Sequence, residues 1–138
     1  MLILQPAAWD RPRGYANGVA ADGRMVFIAG QIGWNAQQRF DHEDLPGQVR
    51  QALQNVVTVL AEAGGLPEHI TRLTWYLIDK HDYLAQATSI GAAYRAVIGR
   101  HFPAMTAVQV SALIEDAALV EIEATAVIPE NPPAPDRP

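Results

Sequence analysis

The chain has 138 residues, 49% of them apolar, with a formal net charge of -5 and a sequence pI near 5.2. That length suits one domain with a real core, and the acidic balance disfavours a nucleic-acid partner, which needs a basic footprint. Cysteine is absent, which excludes disulfides, thiolate metal sites and cysteine nucleophiles.

In chain order, Met1-Leu2-Ile3-Leu4 lacks the basic start and the length of a signal peptide. No apolar run is long enough to span a membrane, so a cytoplasmic protein is the default expectation. Asp22-Gly23 lies between Val19-Ala20-Ala21 and Met25–Ala29. Asp-Gly between apolar runs is a strong hairpin signal, and an N-terminal β-hairpin ending at Gly30-Gln31 is predicted. The polar stretch from Asn35 to Asp44 reads as a loop. Val49, Leu53, Val56 and Leu60 then recur at helical spacing, with Ala52 and Val57 beside them, and Gly64-Gly65 ends that helix.

Thr71 to Ile78 is rich in β-branched and aromatic residues and suits a strand. A second helix is predicted from Leu84, Ala87, Ile90, Tyr94 and Val97 on one face, closed by Gly99. Gly91 inside it favours close packing at a cost of about 1 kcal/mol against alanine. Two strands follow, Met105–Ser111 and Leu119–Ile128. Residues 1–128 thus read as a single domain. The tail from Pro129 to Pro138 contains five prolines and is predicted to be disordered.

The pattern gives an α+β fold, a mixed sheet with two helices on one face. Yet the strands are apolar on both faces: Met25, Phe27 and Ala29 alternate with Val26 and Ile28. Self-association is the simplest cover for the face without helices.

In the last strand, Val120, Ile122, Ala124, Ala126 and Ile128 point one way, toward the helices. Glu121, Glu123 and Thr125 point the other way, the two glutamates roughly 6.6 Å apart. Such a pair is either a solvated or ion-paired strand face, or a functional pair in a partly desolvated cleft. His42, His69, His81 and His101 show no metal-ligand spacing. No phosphate-cradling glycine loop, no nucleophile elbow and no cofactor motif is present. No metal and no cofactor is expected.

The segment Phe102-Pro103-Ala104-Met105-Thr106-Ala107-Val108-Gln109-Val110, followed by Val120-Glu121-Ile122-Glu123-Ala124, resembles the C-terminal signature of the RidA/YjgF family, which reads roughly FPAR-S-x-V-x-V and then x-E-I-E-A. Gly14-Tyr15-Ala16-Asn17-Gly18-Val19 resembles the family's PYxxGV, and Ala29-Gly30-Gln31 its S-G-Q. The resemblance covers residues 14–128. It implies a chorismate-mutase-like (RidA-like) fold, a trimer whose sheets pack into a central barrel, and ligand sites in the clefts between subunits.

It also implies roles. Glu121 matches the glutamate that holds the attacking water, Tyr15 the tyrosine that lines the cleft, and Gly30 the glycine whose backbone approaches the ligand. Ala107 stands where some members have a cysteine. The asparagine that members often carry on the second helix falls near Gly91. Met105 replaces the arginine whose guanidinium forks onto the substrate carboxylate, and methionine offers neither charge nor donor. Each charge-assisted bond of such a fork is worth roughly 1.5–3 kcal/mol, so the usual 2-imino acids should bind weakly. Arg13 or another arginine could substitute from a different angle, and Trp34, Trp75 and Tyr76 could form a larger aromatic pocket or core.

Three functions follow. One is hydrolytic deamination of an imine, enamine or related unsaturated amine. A second is a non-catalytic trimer that binds a small metabolite. The third, the ribonuclease or translation-inhibitor role attached to some relatives, is disfavoured by the acidic charge and the lack of a histidine pair or basic groove. A small-molecule ligand is expected, with no nucleic acid and no membrane.

Overall fold

The computed structural model describes residues 1–130. Most of the proline-rich tail expected to be disordered lies outside the described residues. The central sheet has the order β3-β6-β4-β5, built from Arg24–Ile32 (β3), Val120–Ile128 (β6), Ile70–Leu77 (β4) and Ala104–Gln109 (β5). β6 runs antiparallel to both neighbours, and β5 runs parallel to β4. The sheet is therefore mixed, as the alternation of strands and helices predicts.

The strand alternation sorts the faces. In β6, Val120, Ile122, Ala124 and Ala126 are buried, while Glu121, Glu123 and Thr125 are only half-buried on the opposite face. In β4, Leu73, Trp75 and Leu77 join the buried set. Helix α1 (Leu45–Glu62) lays Val49, Ala52, Leu53, Val56 and Leu60 over this face. Residues predicted at 3.6 spacing thus form the core. Pro46 at the first turn suits a helix start, where its missing N–H has no partner to lose. Gly64, with φ of 79°, closes the helix in the left-handed region where glycine pays no steric penalty.

Two predictions need correction. The hairpin does not form: β2 (Gly18–Ala20) pairs with β1 (Leu2–Leu4), while β3 pairs with β6 along most of its length. The turn at Asp22-Gly23 instead carries the chain from one sheet to the other. A nine-residue strand gains more ladder and more buried surface from β6 than a three-residue partner can supply. The second helix is broken in two, α2 (Lys80–Ala85) and α3 (Ala87–Val97), at Gln86 with φ of -105° and ψ of 19°. Asp79 caps α2 by accepting from the backbone N–H of His81 at 2.9 Å and of Asp82 at 3.2 Å, as short polar side chains do at helix starts. The break turns Leu84 outward, 65% exposed, whereas Ile90 and Tyr94 stay in the core. The described residues therefore hold three α-helices rather than two.

The face opposite α1 and α3 is open. Phe27 is 74% exposed there, and Met25 and Val108 are exposed as well. One buried polar side chain ties the loops together. Gln48 donates through Nε2 to the carbonyls of Ala117 (2.9 Å) and His42 (3.2 Å) and accepts at Oε1 from the N–H of Leu119 (2.8 Å). Its hydrogen bonds offset the cost of burying an amide.

Candidate functional site

At the β5 edge of the sheet, β4, β5, α2, α3 and the segment before β2 line a cavity of about 630 Å³. Met105 and Ala107 form part of its wall because the parallel register sets them beside Leu73 and Trp75, on the helix side of the sheet. Met105 is half-buried and packs against the core while facing the cavity. It is core filler and apolar wall at once. Tyr15 is brought in by a short parallel bridge: the Ala16 N–H donates to the Pro103 carbonyl at 3.0 Å, which pins the 14–16 segment to the start of β5.

The remaining wall is largely aromatic. Trp75 and Tyr94 stack with ring centroids 6.4 Å apart, Tyr94 and Phe102 stack at 5.6 Å, and Tyr83 meets Trp75 edge-on at 6.3 Å. Such pairs add about 0.5–1.5 kcal/mol each beyond their buried area. Tyr94 donates its hydroxyl to the His101 carbonyl, and burial holds its pKa far above the ordinary tyrosine value. Burial raises Tyr83 too. The indole N–H of Trp75 is buried with no acceptor among the described residues, a cost of about 1–3 kcal/mol set against the ring's packing on both neighbours. Arg13, Arg95, Leu84 and Gly91 are also part of the lining.

The other expected site residues sit elsewhere. Glu121 and Glu123 lie on the open face of the sheet, and neither lines this cavity. Gly30 belongs with Glu121. A register shift between Ile28 and Gln31 makes a bulge in β3, and bulges commonly re-aim the chain beside functional positions. There the Gly30 backbone comes so close to Glu121 that a Cβ would overlap its carboxylate and sit 2.9 Å from its Cγ. Glu123 accepts a 2.7 Å hydrogen bond from the Tyr76 hydroxyl. That bond first, then desolvation and the charges of Glu123 and Glu121, raise the tyrosine above its ordinary value. A hollow of about 640 Å³ on this face is lined by Phe27, Arg72, Tyr76 and Glu123 among others.

One protomer thus presents the expected residues in two groups: Tyr15, Met105 and Ala107 around the aromatic cavity, and Gly30 with Glu121 on the open face. Of the three aromatics expected to enlarge a pocket, Trp75 does so. Trp34 packs on Phe40 at 6.0 Å, and Tyr76 lies on the open face. Tyr83, Phe102 and Arg95 were not anticipated. Phe102 stood in the signature itself, and the Gly91-to-Arg95 spacing of one helical turn was the available hint for the arginine. His69 and His101 are structural: His69 Nδ1 accepts from the Leu66 N–H at 2.9 Å, and His101 Nε2 lies 2.6 Å from the Ile70 carbonyl. No group of three metal-ligating side chains occurs among the described residues, and no helix there is long and apolar enough to cross a membrane.

Residues 7–128 match the profile of the family described as endoribonuclease L-PSP, to which the RidA/YjgF proteins belong. The chain belongs to this family. A RutC family protein of Synechocystis is 35% identical over 137 residues, 94% of this chain and 98% of that relative. A protein of Escherichia coli K12 named 2-iminobutanoate/2-iminopropanoate deaminase is 34% identical over 116 residues, 82% of this chain and 86% of its own. Among solved structures, a protein of the conserved Rid family from Yersinia pestis superposes with a TM-score of 0.81 at 32% identity, covering 92% of this chain and 98% of the other. The RidA/YjgF fold expected from the signature is the fold observed, and some RidA/YjgF relatives carry a deaminase name.

Proposed function

We propose that this RidA/YjgF chain is a homotrimeric hydrolytic deaminase of an imine or enamine, with its site in the cleft between subunits. The observation that carries the reading is the contact of Gly30 with Glu121. A carboxylate seated against bare backbone on an open sheet face has room beside it for a water and a small C=N group. The protomer's two groups of site residues become one site if the aromatic cavity of one subunit faces the Gly30–Glu121 edge of the next. The exposed Met25, Phe27 and Val108 supply an apolar face for that packing.

The chemistry is balanced and needs only water. Glu121 takes a proton as the water oxygen bonds to the imine carbon. The C=N π electrons move to nitrogen, which is protonated. The carbinolamine then collapses, the C–N bond breaks, ammonia leaves, and a carbonyl remains. Tyr15 and the Gly30 backbone orient the substrate. Met105 removes the usual carboxylate fork, so 2-iminobutanoate is a poor substrate rather than the preferred one. The net charge of -5 argues against RNA as substrate.

Ammonia release from 2-iminobutanoate generated in situ tests the reading. Wild type is expected to exceed the spontaneous rate modestly, Met105→Arg to exceed wild type, and Glu121→Ala to fall to the spontaneous rate. Wild type and Met105→Arg both running at the spontaneous rate would refute the proposal.

A further inference from the structure

The cavity beside β5 has lost its expected cation at position 105 yet is not without one. Its lining contains two guanidinium groups, Arg13 and Arg95, and no carboxylate. Arg95 is placed by the helix itself. One turn earlier on α3 stands Gly91, and a Cβ there would lie 3.2 Å from Arg95 Nη1. The guanidinium therefore folds back against the bare backbone at 91, where a longer side chain would crowd it. Both residues line the cavity. The rest of the wall is five aromatic rings, Tyr15, Trp75, Tyr83, Tyr94 and Phe102, with aliphatic side chains between them. A cationic fork above a mainly aromatic wall matches an anion carried on a flat apolar body.

We infer that Arg95, lying over Gly91, reads the carboxylate of an aromatic or bulky apolar acid held in this cavity. The anion is gripped from the α3 wall instead of from β5, which turns the ligand and leaves the apolar floor at Met105 to its ring. The inference rests on reading this cavity as the substrate side of the proposed site. It narrows the substrate to unsaturated amines with a bulky apolar group and a carboxylate.

The test is equilibrium binding to the full chain by titration calorimetry, using 3-phenylpropanoate and its neutral amide. Neither probe contains a C=N bond, so binding is read without turnover. The acid is expected to bind at least about tenfold more tightly than the amide, as a charge-assisted fork requires. Arg95→Gln should weaken the acid by about tenfold or more and leave the amide unchanged, Arg95→Lys should restore part of the loss, and Arg13→Gln should matter less. Acid and amide binding equally, no binding of the acid, or a loss that follows Arg13 and spares Arg95 would each overturn the inference. Binding of this pattern with no turnover of any imine would sink the deaminase reading alone. Imine turnover indifferent to Arg95→Gln, with the acid bound no better than the amide, would sink this inference alone.

Discussion

The same substitution three residues apart should have very unequal consequences. At Gly30 an added Cβ meets the far end of Glu121: its carboxylate, with Cγ and Cδ each at 2.9 Å. At Gly33 it meets the backbone of α1, with Gln48 Cα at 2.7 Å and the Gln48 carbonyl oxygen at 2.9 Å. A half-buried side chain can leave by changing rotamer, at roughly 0.5–1.5 kcal/mol. Alanine returns about 0.4–1 kcal/mol by restricting the unfolded chain. Gly30→Ala should therefore change stability by less than about 1 kcal/mol. A buried helix backbone cannot step aside without opening its contacts, so Gly33→Ala should cost about 2–3 kcal/mol as overpacking. Urea titrations followed by circular dichroism measure both, with the slope checked for constancy. In a thermal melt the gap should be several degrees, since about 1 kcal/mol moves a domain of this size by roughly 3–5 °C. Gly30→Ala should meanwhile lose whatever turnover depends on Glu121, because its carboxylate has been pushed aside. Equal costs at the two positions would refute the reasoning, as would a Gly30→Ala protein with full turnover.

Gln48→Leu keeps the volume but strands the N–H of Leu119 and two carbonyls; a loss of about 2–4 kcal/mol is expected in urea. Tyr94→Phe removes the hydroxyl bonded to His101 and should cost about 1 kcal/mol near neutral pH. Because burial raises Tyr94 in the folded state, the unfolded chain releases that proton first, from about pH 10. Wild-type stability should then fall as pH rises past that point, and the Tyr94→Phe protein should fall less steeply, closing the gap. Phe27→Glu places a charge on the exposed apolar part of the open face, at its β3 edge; light scattering after size exclusion should show the proposed trimer replaced by smaller species while the helical signal is retained.

Much of the fold was legible because its signals are local. The 3.6-residue spacing of Val49, Leu53, Val56 and Leu60 and the strict alternation from Val120 to Ala126 each report a face that is buried whatever the partner is. Pairing was less legible. Asp22-Gly23 does make a turn, but whether β3 takes β2 or β6 beside it depends on a strand about a hundred residues away. The break at Gln86 left no mark in the spacing, since the hydrogen bonds from Gln86 to the Asp82 carbonyl and from Ile90 to the Gln86 carbonyl continue across it. In the site, the signature at 102–107 led to Met105 and Ala107, and the Gly14–Val19 segment led to Tyr15. Arg95 was missed because its place depends on what Gly91 lacks. The separation of Glu121 from Tyr15 follows from strand parity. Glu121 faces away from Ile122, whereas Met105 and Ala107 share the side of Leu73 and Trp75.

In the proposed trimer, Glu121 serves a site completed by a neighbouring subunit. Subunit mixing tests it most directly. Glu121→Ala and Tyr15→Ala proteins, each expected to be impaired, are mixed through mild denaturation and refolding and assayed for ammonia release. The account predicts that mixed trimers recover activity, because some clefts then draw an intact Glu121 from one chain and an intact Tyr15 from another. Mixed trimers no more active than the average of their parents would contradict it.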